Sequence, residues 1–288
     1  MTPLLAAVIV NYNAGDELRR ALQSIASECA GQPWEAVVVD NASRDGSADV
    51  AERFGAPVRV IRNVVNVGFG RGVNQGLAAT AAPLILIMNP DCRLVAGALS
   101  GLGAVLAAHG RCAMVGPRIL NPDGSVQGSA RGDPDMFTGL FGRTSLLRRI
   151  LPRLAMSTRN VVSAATLPEG QDSVVVDWLS GACVLVRRDA MNAVGGFDEG
   201  YFLYWEDADL CRRIRAAGYR VRYRPDARVA HTVGRSSRTA RALAIRAFHR
   251  SAYLYYARHV ARSPWHPGRW IARVLLQARC WWMLRKAP

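Results

Sequence analysis

No acidic residue follows Asp226. Of the 37 Lys+Arg, 13 lie beyond that point, so the first 226 residues carry 24 basic against 22 acidic side chains. The formal net charge of +15 therefore belongs almost entirely to the C-terminal end. Lysine is nearly missing as well, with Lys286 alone among the arginines. A polycationic end on a near-neutral body favours an anionic partner: a membrane surface, a nucleic acid or a phosphorylated substrate. Aromatic residues interleave the charge, which supports that reading over a merely solvated arginine-rich helix. No run of about 18 uncharged apolar residues occurs, so no bilayer-spanning helix is expected. Thr2 to Val10 lacks a basic leader and reads as a first strand, not as a signal peptide. Cys29, Cys92, Cys112, Cys183, Cys211 and Cys280 show no CxxC pairing and no metal spacing. Most sit in apolar runs, as small core residues of a reducing compartment do. No low-complexity tract is present and half the residues are hydrophobic, so the chain is expected to fold around a substantial core.

The N-terminal hundred residues alternate strand and helix. Ala6–Val10 is a continuous apolar run, as in a strand covered on both faces. Gly15 and Asp16 open a helix with Leu18, Leu22 and Ile25 on one stripe. Ala36–Val39, Val58–Ile61 and Leu84–Met88 read as three more buried strands. Helices are expected before Phe54, after the glycine-rich stretch at Gly68, and over about Gly97–His109. Such alternation implies a parallel sheet with ligands at the strand C-terminal ends. Three of those ends carry polar clusters: Asn11-Tyr12-Asn13, Asp40-Asn41 and Asn89-Pro90-Asp91.

Beyond this half, Met114–Leu120 and the turn Asn121-Pro122-Asp123-Gly124 suggest a hairpin. Residues 130–172 are the least regular stretch, either a flap over a site or a satellite helix. Ala182–Val186 reads as a strand, Arg188–Val194 as a short helix, Glu206–Ala217 as a helix stopped by Gly218. Two helical stretches, about Arg238–Arg262 and Gly268–Arg285, close the chain. Their Trp and Tyr beside Arg suit an interfacial helix, though the same pattern could pack on the body. The expected division is a domain over 1–235, with halves 1–112 and 113–235, and a helical tail over 236–288.

The chemistry points to an enzyme. Glu206, Asp207 and Asp209, flanked by Tyr204 and Trp205, open one helix. First-turn acids suit a helix dipole, but three within four residues exceed what capping needs. This set suits transfer from a sugar nucleotide: a divalent cation steadies the leaving diphosphate and a carboxylate takes the acceptor hydroxyl's proton. Mg²⁺ needs few carboxylates besides phosphate oxygens, so Asp91, aimed by Pro90, suffices. Asp207 is the favoured base because crowded like charge raises a pKa, with Glu206 and Asp209 as competitors. His231 is a second metal ligand or a diphosphate contact. The stretch Asn66 to Gly76 contains no GxGxxG in either register and follows the third strand, which argues against a dinucleotide site. Its glycines permit close backbone approach, or simply pack helix on sheet, and Asn74 offers an amide to a diphosphate or ribose.

In order and spacing these residues resemble the family 2 inverting glycosyltransferases of GT-A fold, most nearly bacterial rhamnosyltransferases of O-antigen and cell-wall synthesis. The marks span about residues 5–235. They are Val10-Asn11-Tyr12-Asn13, Val39-Asp40-Asn41-Ala42-Ser43, Asn66-x-Gly68-Phe69-Gly70-x-Gly72-x-Asn74-x-Gly76, Asn89-Pro90-Asp91, Gly195-Gly196-Phe197-Asp198-Glu199 and Tyr204-Trp205-Glu206-Asp207-x-Asp209-Leu210. The resemblance implies a Rossmann-like, mostly parallel α/β sheet. It implies that Asp40 and Asn41 help hold the nucleoside; Asn11, Asn13, Asn66, Gly68, Asn74 and Asn89 are the further candidate donor contacts. Asp91 would be the metal-binding end of a DxD-type motif, with Asn89 in place of the usual first Asp. His231 would be a metal or phosphate contact, Asp207 the base beside Glu206, and Tyr204, Trp205 and Asp209 the acceptor side.

The expectation is therefore a peripheral enzyme at the inner, cytoplasmic face of the plasma membrane. It would use Mg²⁺ or Mn²⁺, dTDP-L-rhamnose and a polyprenyl-diphosphate-linked saccharide, and no nucleic acid. A UDP-hexose or GDP-mannose donor on the same fold, a nucleic-acid-binding role for the arginine-rich end, and an inactive sugar-binding subunit are the alternatives.

Overall fold

A computed structural model describes residues 3–133, 171–232 and 241–286. The expected flap or satellite helix over 130–172, and the boundary at 235, fall largely or wholly outside them. Four apolar runs form the parallel core of the sheet: Leu5–Asn11 (β1), Trp34–Asp40 (β2), Val58–Arg62 (β3) and Leu84–Met88 (β4). Between them run helices Asp16–Glu28 (α1), Ser47–Phe54 (α2) and Phe69–Ala78 (α3). Continuous hydrophobicity in β1 and β4 has a simple cause, since their residues meet covered faces on both sides, whereas the edge strand β3 exposes Arg59 and Arg62. Ala7, Ile9, Val38, Leu86 and Met88 pack with Leu18, Leu22 and Ile25 on one side. Ala6, Val8, Val10, Ile85 and Ile87 pack with Val73 on the other.

The second half adds Cys92–Leu94 (β5), helix Ala98–Ala108 (α4), Cys112–Leu120 (β6), Ala130–Arg131 (β7), Val174–Val176 (β8), Trp178–Leu179 (β9), Cys183–Arg187 (β10) and Arg220–His231 (β11). Helices Arg188–Ala193 (α5) and Glu206–Ala216 (α6) lie between the last two strands. The order across the large sheet is β3-β2-β1-β4-β10-β6-β11-β5, with β8 also on β11, and β7 pairs β9 apart from it. The sheet is mixed: β10 enters antiparallel between β4 and β6, and β5 and β8 run antiparallel to β11. The expected hairpin after β6 reduces to one bridge, Leu120 to Val126, because β6 takes its sheet partners from β10 and β11 instead.

Two pairings position the site. Asn11 lies in register with Asp40 across the parallel pair β1–β2, so the polar strand ends emerge on one edge. His231 lies in register with Cys92 across β11–β5, which draws Asp91 to the end of β11. Helices Arg241–His259 (α7) and Pro267–Arg285 (α8) pack on each other, and α7 also packs on the start of α6. Among the described residues no helix is long and apolar enough to cross a membrane.

Candidate active site

The polar strand ends hold one another. The Asn11 amide donates to Asp40 Oδ1 at 2.7 Å and to Ser47 Oγ at 2.8 Å, and the second Asp40 oxygen accepts from Ser43 N–H. Asn11, Asp40 and Asn41 are buried. Asn41 donates to the Gly68 carbonyl at 3.1 Å, and Asn66 Oδ1 accepts from Gly68 N–H at 2.9 Å. Asn13 accepts from Arg44 N–H. Together they tie β1 and β2 to the loop that starts α3.

At Gly68 the backbone has φ +91°, and a Cβ there would fall 2.4 Å from the Phe202 carbonyl oxygen. The glycine thus admits the protein's own loop, which accepts a hydrogen bond from Phe69 N–H. Asn74 is engaged within the protein. Its oxygen accepts from Phe197 N–H, and its NH₂ group donates to the Phe197 carbonyl and to Glu199. With one acceptor and both donors engaged, the amide fastens the Gly195–Glu199 turn to α3.

Asp91 and His231 form the second element. His231 Nε2 lies 3.1 Å from Asp91 Oδ1, and Thr232 N–H donates to the Asp91 carbonyl. Asp91, Cys92 and His231 bring one potential ligand atom each within 4.8 Å of one another. Cys92 does not suit a hard cation: its thiol is fully buried, donates to the Ala182 carbonyl at 3.3 Å, and is pushed far up in pKa by burial. A carboxylate and an imidazole remain, and Asn89, half-buried beside them, has no side-chain hydrogen bond among the described residues. That sparse O/N set fits Mg²⁺ or Mn²⁺ when phosphate oxygens complete the shell.

The acidic turn is the third element. Tyr204 and Trp205 both have positive φ, 67° and 70°, which swings the chain sharply into α6. Asp207 accepts from Gly181 N–H at 3.0 Å and from Ala208 N–H at 2.8 Å. Burial raises its pKa, and these two N–H groups act against the rise. Glu206 is buried with Oε2 unpartnered. Burial first, and then the neighbouring Asp207 charge, push it up to about 8. Both carboxyls are thus raised by burial, Asp207 against the pull of two amide donors and Glu206 with one oxygen left bare.

Asp209 turns toward α7 and its own helix. It is buried, pairs with Arg213 at 2.7 Å and meets His259 Nε2 of α7 at 2.6 Å. Burial pushes its carboxyl up, but His259 and Arg213 outweigh this and hold it below the usual range. Trp205 packs against Tyr255 and Phe248 of the same helix.

What joins the elements is a short backbone segment. Asn89 N–H and Cys92 Sγ both donate to the Ala182 carbonyl, while the preceding residue, Gly181, donates to Asp207. The neighbours of Asp91 in the chain, Asn89 and Cys92, and Asp207 thus meet at the same two residues, Gly181 and Ala182. Sequence reasoning missed this linker, the glutamine that orients His231, and His259. Small residues before a strand, a polar residue in a turn and a histidine in a cationic helix carry no local signal of such roles.

The model of "Glycosyl transferase family 2" matches residues 6–160, and that of "Glycosyl transferase family group 2" matches residues 152–284. An N-acetylglucosaminyl-diphospho-decaprenol L-rhamnosyltransferase of Mycobacterium tuberculosis is 34% identical over 304 residues, covering 100% of this chain and 95% of that protein. Rhamnosyltransferase WbbL of Escherichia coli is 42% identical over 84 residues, 29% of this chain and 32% of that one. Among solved structures, GalNAc-T7 with UDP, GalNAc and Mn²⁺ superposes with a TM-score of 0.63 at 16% identity, over 89% of this chain and 50% of that one. The mannosyltransferase PcManGT of Pyrobaculum calidifontis, with GDP-Man and Mn²⁺, gives 0.57 at 17%, over 98% and 70%. At such identities the structural likeness speaks for the fold alone.

Proposed function

The chain belongs to glycosyl transferase family 2, and from that premise we propose that it transfers L-rhamnose from dTDP-L-rhamnose to a polyprenyl-diphosphate-linked saccharide with inversion. One observation supports the reading: Asn89 and Cys92, which bracket Asp91 in the chain, bond to the Ala182 carbonyl, and Asp207 accepts from the adjoining Gly181 N–H. Leaving-group stabilisation and proton removal are thereby brought to one place. The full-length relative named for rhamnosyl transfer onto a diphospho-decaprenol acceptor supports both the sugar and the acceptor class.

In this reading Asp207 accepts the proton of an acceptor hydroxyl. The freed oxygen forms a bond to the anomeric carbon from the face opposite the nucleotide, while the bond from that carbon to the diphosphate breaks. Gly181 and Ala208 hold the carboxylate so that its remaining lone pairs point at the hydroxyl. Glu206 keeps its proton and adds no second negative charge. Asn11, Asp40, Asn41 and Asn66 form a frame whose backbone and outer edges receive the nucleoside. Asp91, His231 and Asn89 would hold Mg²⁺ or Mn²⁺, which when bound supplies positive charge to the leaving diphosphate.

Peripheral attachment at the inner face of the plasma membrane belongs to the same proposal. On α8, Trp270, Ile271, Val274, Leu275, Trp281 and Trp282 are all exposed, while Ala272 and Leu276 face inward. The helix therefore turns an apolar, arginine-flanked stripe outward, as interfacial helices do.

Release of nucleotide diphosphate from dTDP-rhamnose, UDP-galactose and GDP-mannose, with and without EDTA, tests the donor and the metal. Asp207→Asn should lower turnover by about 10²–10⁴-fold, the worth of a general base, while dTDP still raises the melting temperature. Near-normal turnover would remove Asp207 from the role.

A further inference from the structure

Beside the acidic turn lies a pocket of about 480 Å³ that the mechanism above does not use. It opens between α7 and α8, lined by Ala244, Ile245, Phe248 and Met283, with Tyr204 forming the wall toward the active site and Arg241 exposed at its edge. Its size is that of a small-molecule site and its lining is mainly apolar.

Behind the lining residues Phe248 and His249 lies a cation that no carboxylate among the described residues neutralises. Arg279 is half-buried, placed over the Phe248 ring at 5.7 Å and bonded to His249 Nε2 at 3.2 Å. His249 is buried, and its Nδ1 meets the Ile245 carbonyl at 2.7 Å, so Nδ1 carries the proton and Nε2 offers Arg279 only a lone pair. Burial works against charge on both groups of this contact, lowering the pKa of His249 and of Arg279. Among the described residues no carboxylate pairs with Arg279 or Arg241, whereas Arg258 and His259 of α7 do find Asp198 and Asp209. A partly desolvated guanidinium without a counter-ion, beside an apolar cavity, calls for a ligand that is anionic at one end and hydrocarbon at the other.

Position narrows the ligand. Tyr204 lies three residues before Asp207, and Phe248 stacks against Trp205, which precedes Glu206. Met283, on the α8 wall, directly follows Trp281 and Trp282 of the outward apolar stripe. The pocket thus lies between the reacting centre and the membrane-facing helix.

We infer that this pocket holds the diphosphate and first isoprene units of the lipid-linked acceptor: the isoprene chain lies along Ile245, Phe248 and Met283, and Arg241 and Arg279 hold the phosphates. The inference rests on the glycosyltransferase reading and deepens it by giving the acceptor a second anchor beyond its sugar. Held there, a saccharide one link from the diphosphate is presented to Asp207.

Calorimetric titration of the full chain with farnesyl diphosphate, below its micelle concentration, tests this. Binding should weaken at least tenfold in Ala244→Trp, which fills the cavity, and in Arg241→Gln, an exposed change that spares the fold. Arg279→Gln should do the same. Farnesol alone and inorganic diphosphate alone should each bind at least tenfold more weakly than the whole molecule. Unaltered affinity in the variants, or equal affinity for farnesol, overturns the assignment. So does displacement of farnesyl diphosphate by phosphatidylglycerol vesicles at matching headgroup concentration, which would make the site a headgroup site. dTDP binding on the same sample separates the two levels: a protein that binds dTDP and not farnesyl diphosphate refutes the pocket alone. A protein that binds neither refutes the reading beneath it.

Discussion

Gln127 fixes the tautomer of His231 across 104 residues of sequence, with Oε1 at 3.0 Å from the ring Nδ1. The orientation of the amide follows from its other end: Nε2 donates to Asn121 Oδ1 at 2.8 Å and to the His231 carbonyl at 3.3 Å. Oε1 is therefore an acceptor, Nδ1 carries a proton, and the lone pair of Nε2 points at Asp91 Oδ1. Two acceptors that face each other need a proton or a cation between them. Partners that set ligand orientation in this way are typically worth about 10–100-fold in metal affinity. Gln127→Leu should weaken Mn²⁺ binding by at least about tenfold, read by electron paramagnetic resonance titration of free Mn²⁺ without any substrate. Equal affinity would show that the amide does not govern the imidazole.

Glu206 gives a pH dependence whose sign can be worked out. Its pKa rises from 4.5 in the unfolded chain to about 8 in the folded one, through burial and the Asp207 charge. Between these values the folded protein binds more protons than the unfolded one, so stability falls as pH rises through the window. It is greatest below 4.5 on this account alone and reaches its lowest level above about 8. Glu206→Gln, which keeps the shape and removes the titration, should flatten that fall. Urea unfolding at pH 5 and pH 9 should show a wild-type difference larger than that of the variant by a few kcal/mol, since each pKa unit is worth about 1.4 kcal/mol. Parallel pH profiles would mean that another group carries the effect.

The strands and helices of the first half were legible because each is a local pattern. Ala6–Val10 and Leu84–Met88 are uniformly apolar since both sheet faces are covered, and Leu18, Leu22 and Ile25 mark the buried face of α1. The polar ends at Asn11, Asp40 and Asn89 follow from the parallel register of β1, β2 and β4. The antiparallel entry of β10 was not legible. A strand buried on both faces reads the same in either direction, and its neighbours β4 and β6 are distant in sequence. The site was half legible. Asp91, Asp207 and His231 are marked by type and position. The segment that joins them, Gly181 and Ala182, acts through backbone groups that every residue possesses. The internal partners of Asn74 and Asp209 were not legible either, because an amide or carboxylate in a motif looks the same whether it meets a substrate or completes the fold.

The packing of α7 determines how membrane attachment must be tested. Removing the C-terminal helices would do more than remove an anchor. His259 would leave Asp209, Tyr255 would leave Trp205, and Ser251 would no longer donate to the Leu203 carbonyl. A truncated chain would therefore strip α6 and the turn before it of packing and hydrogen bonds as well as lose the tail. The outward stripe of α8 can be changed without touching those contacts. Trp270 and Trp281 are 73% and 56% exposed, and Arg285 lies 3.7 Å over the Trp281 ring, so aromatic and cationic groups share one surface. Trp270→Ser with Trp281→Ser should lower partitioning onto phosphatidylglycerol vesicles by at least about tenfold, since each buried aromatic contributes on the order of 1.5–3 kcal/mol. Raising salt from 0.1 M to 1 M should lower wild-type partitioning as well, because the basic groups act through a screened field. Sedimentation with vesicles measures both. Partitioning unchanged by the double substitution would place the contact elsewhere on the molecule, and partitioning lost with tryptophans but indifferent to salt would leave the arginines without a part in it.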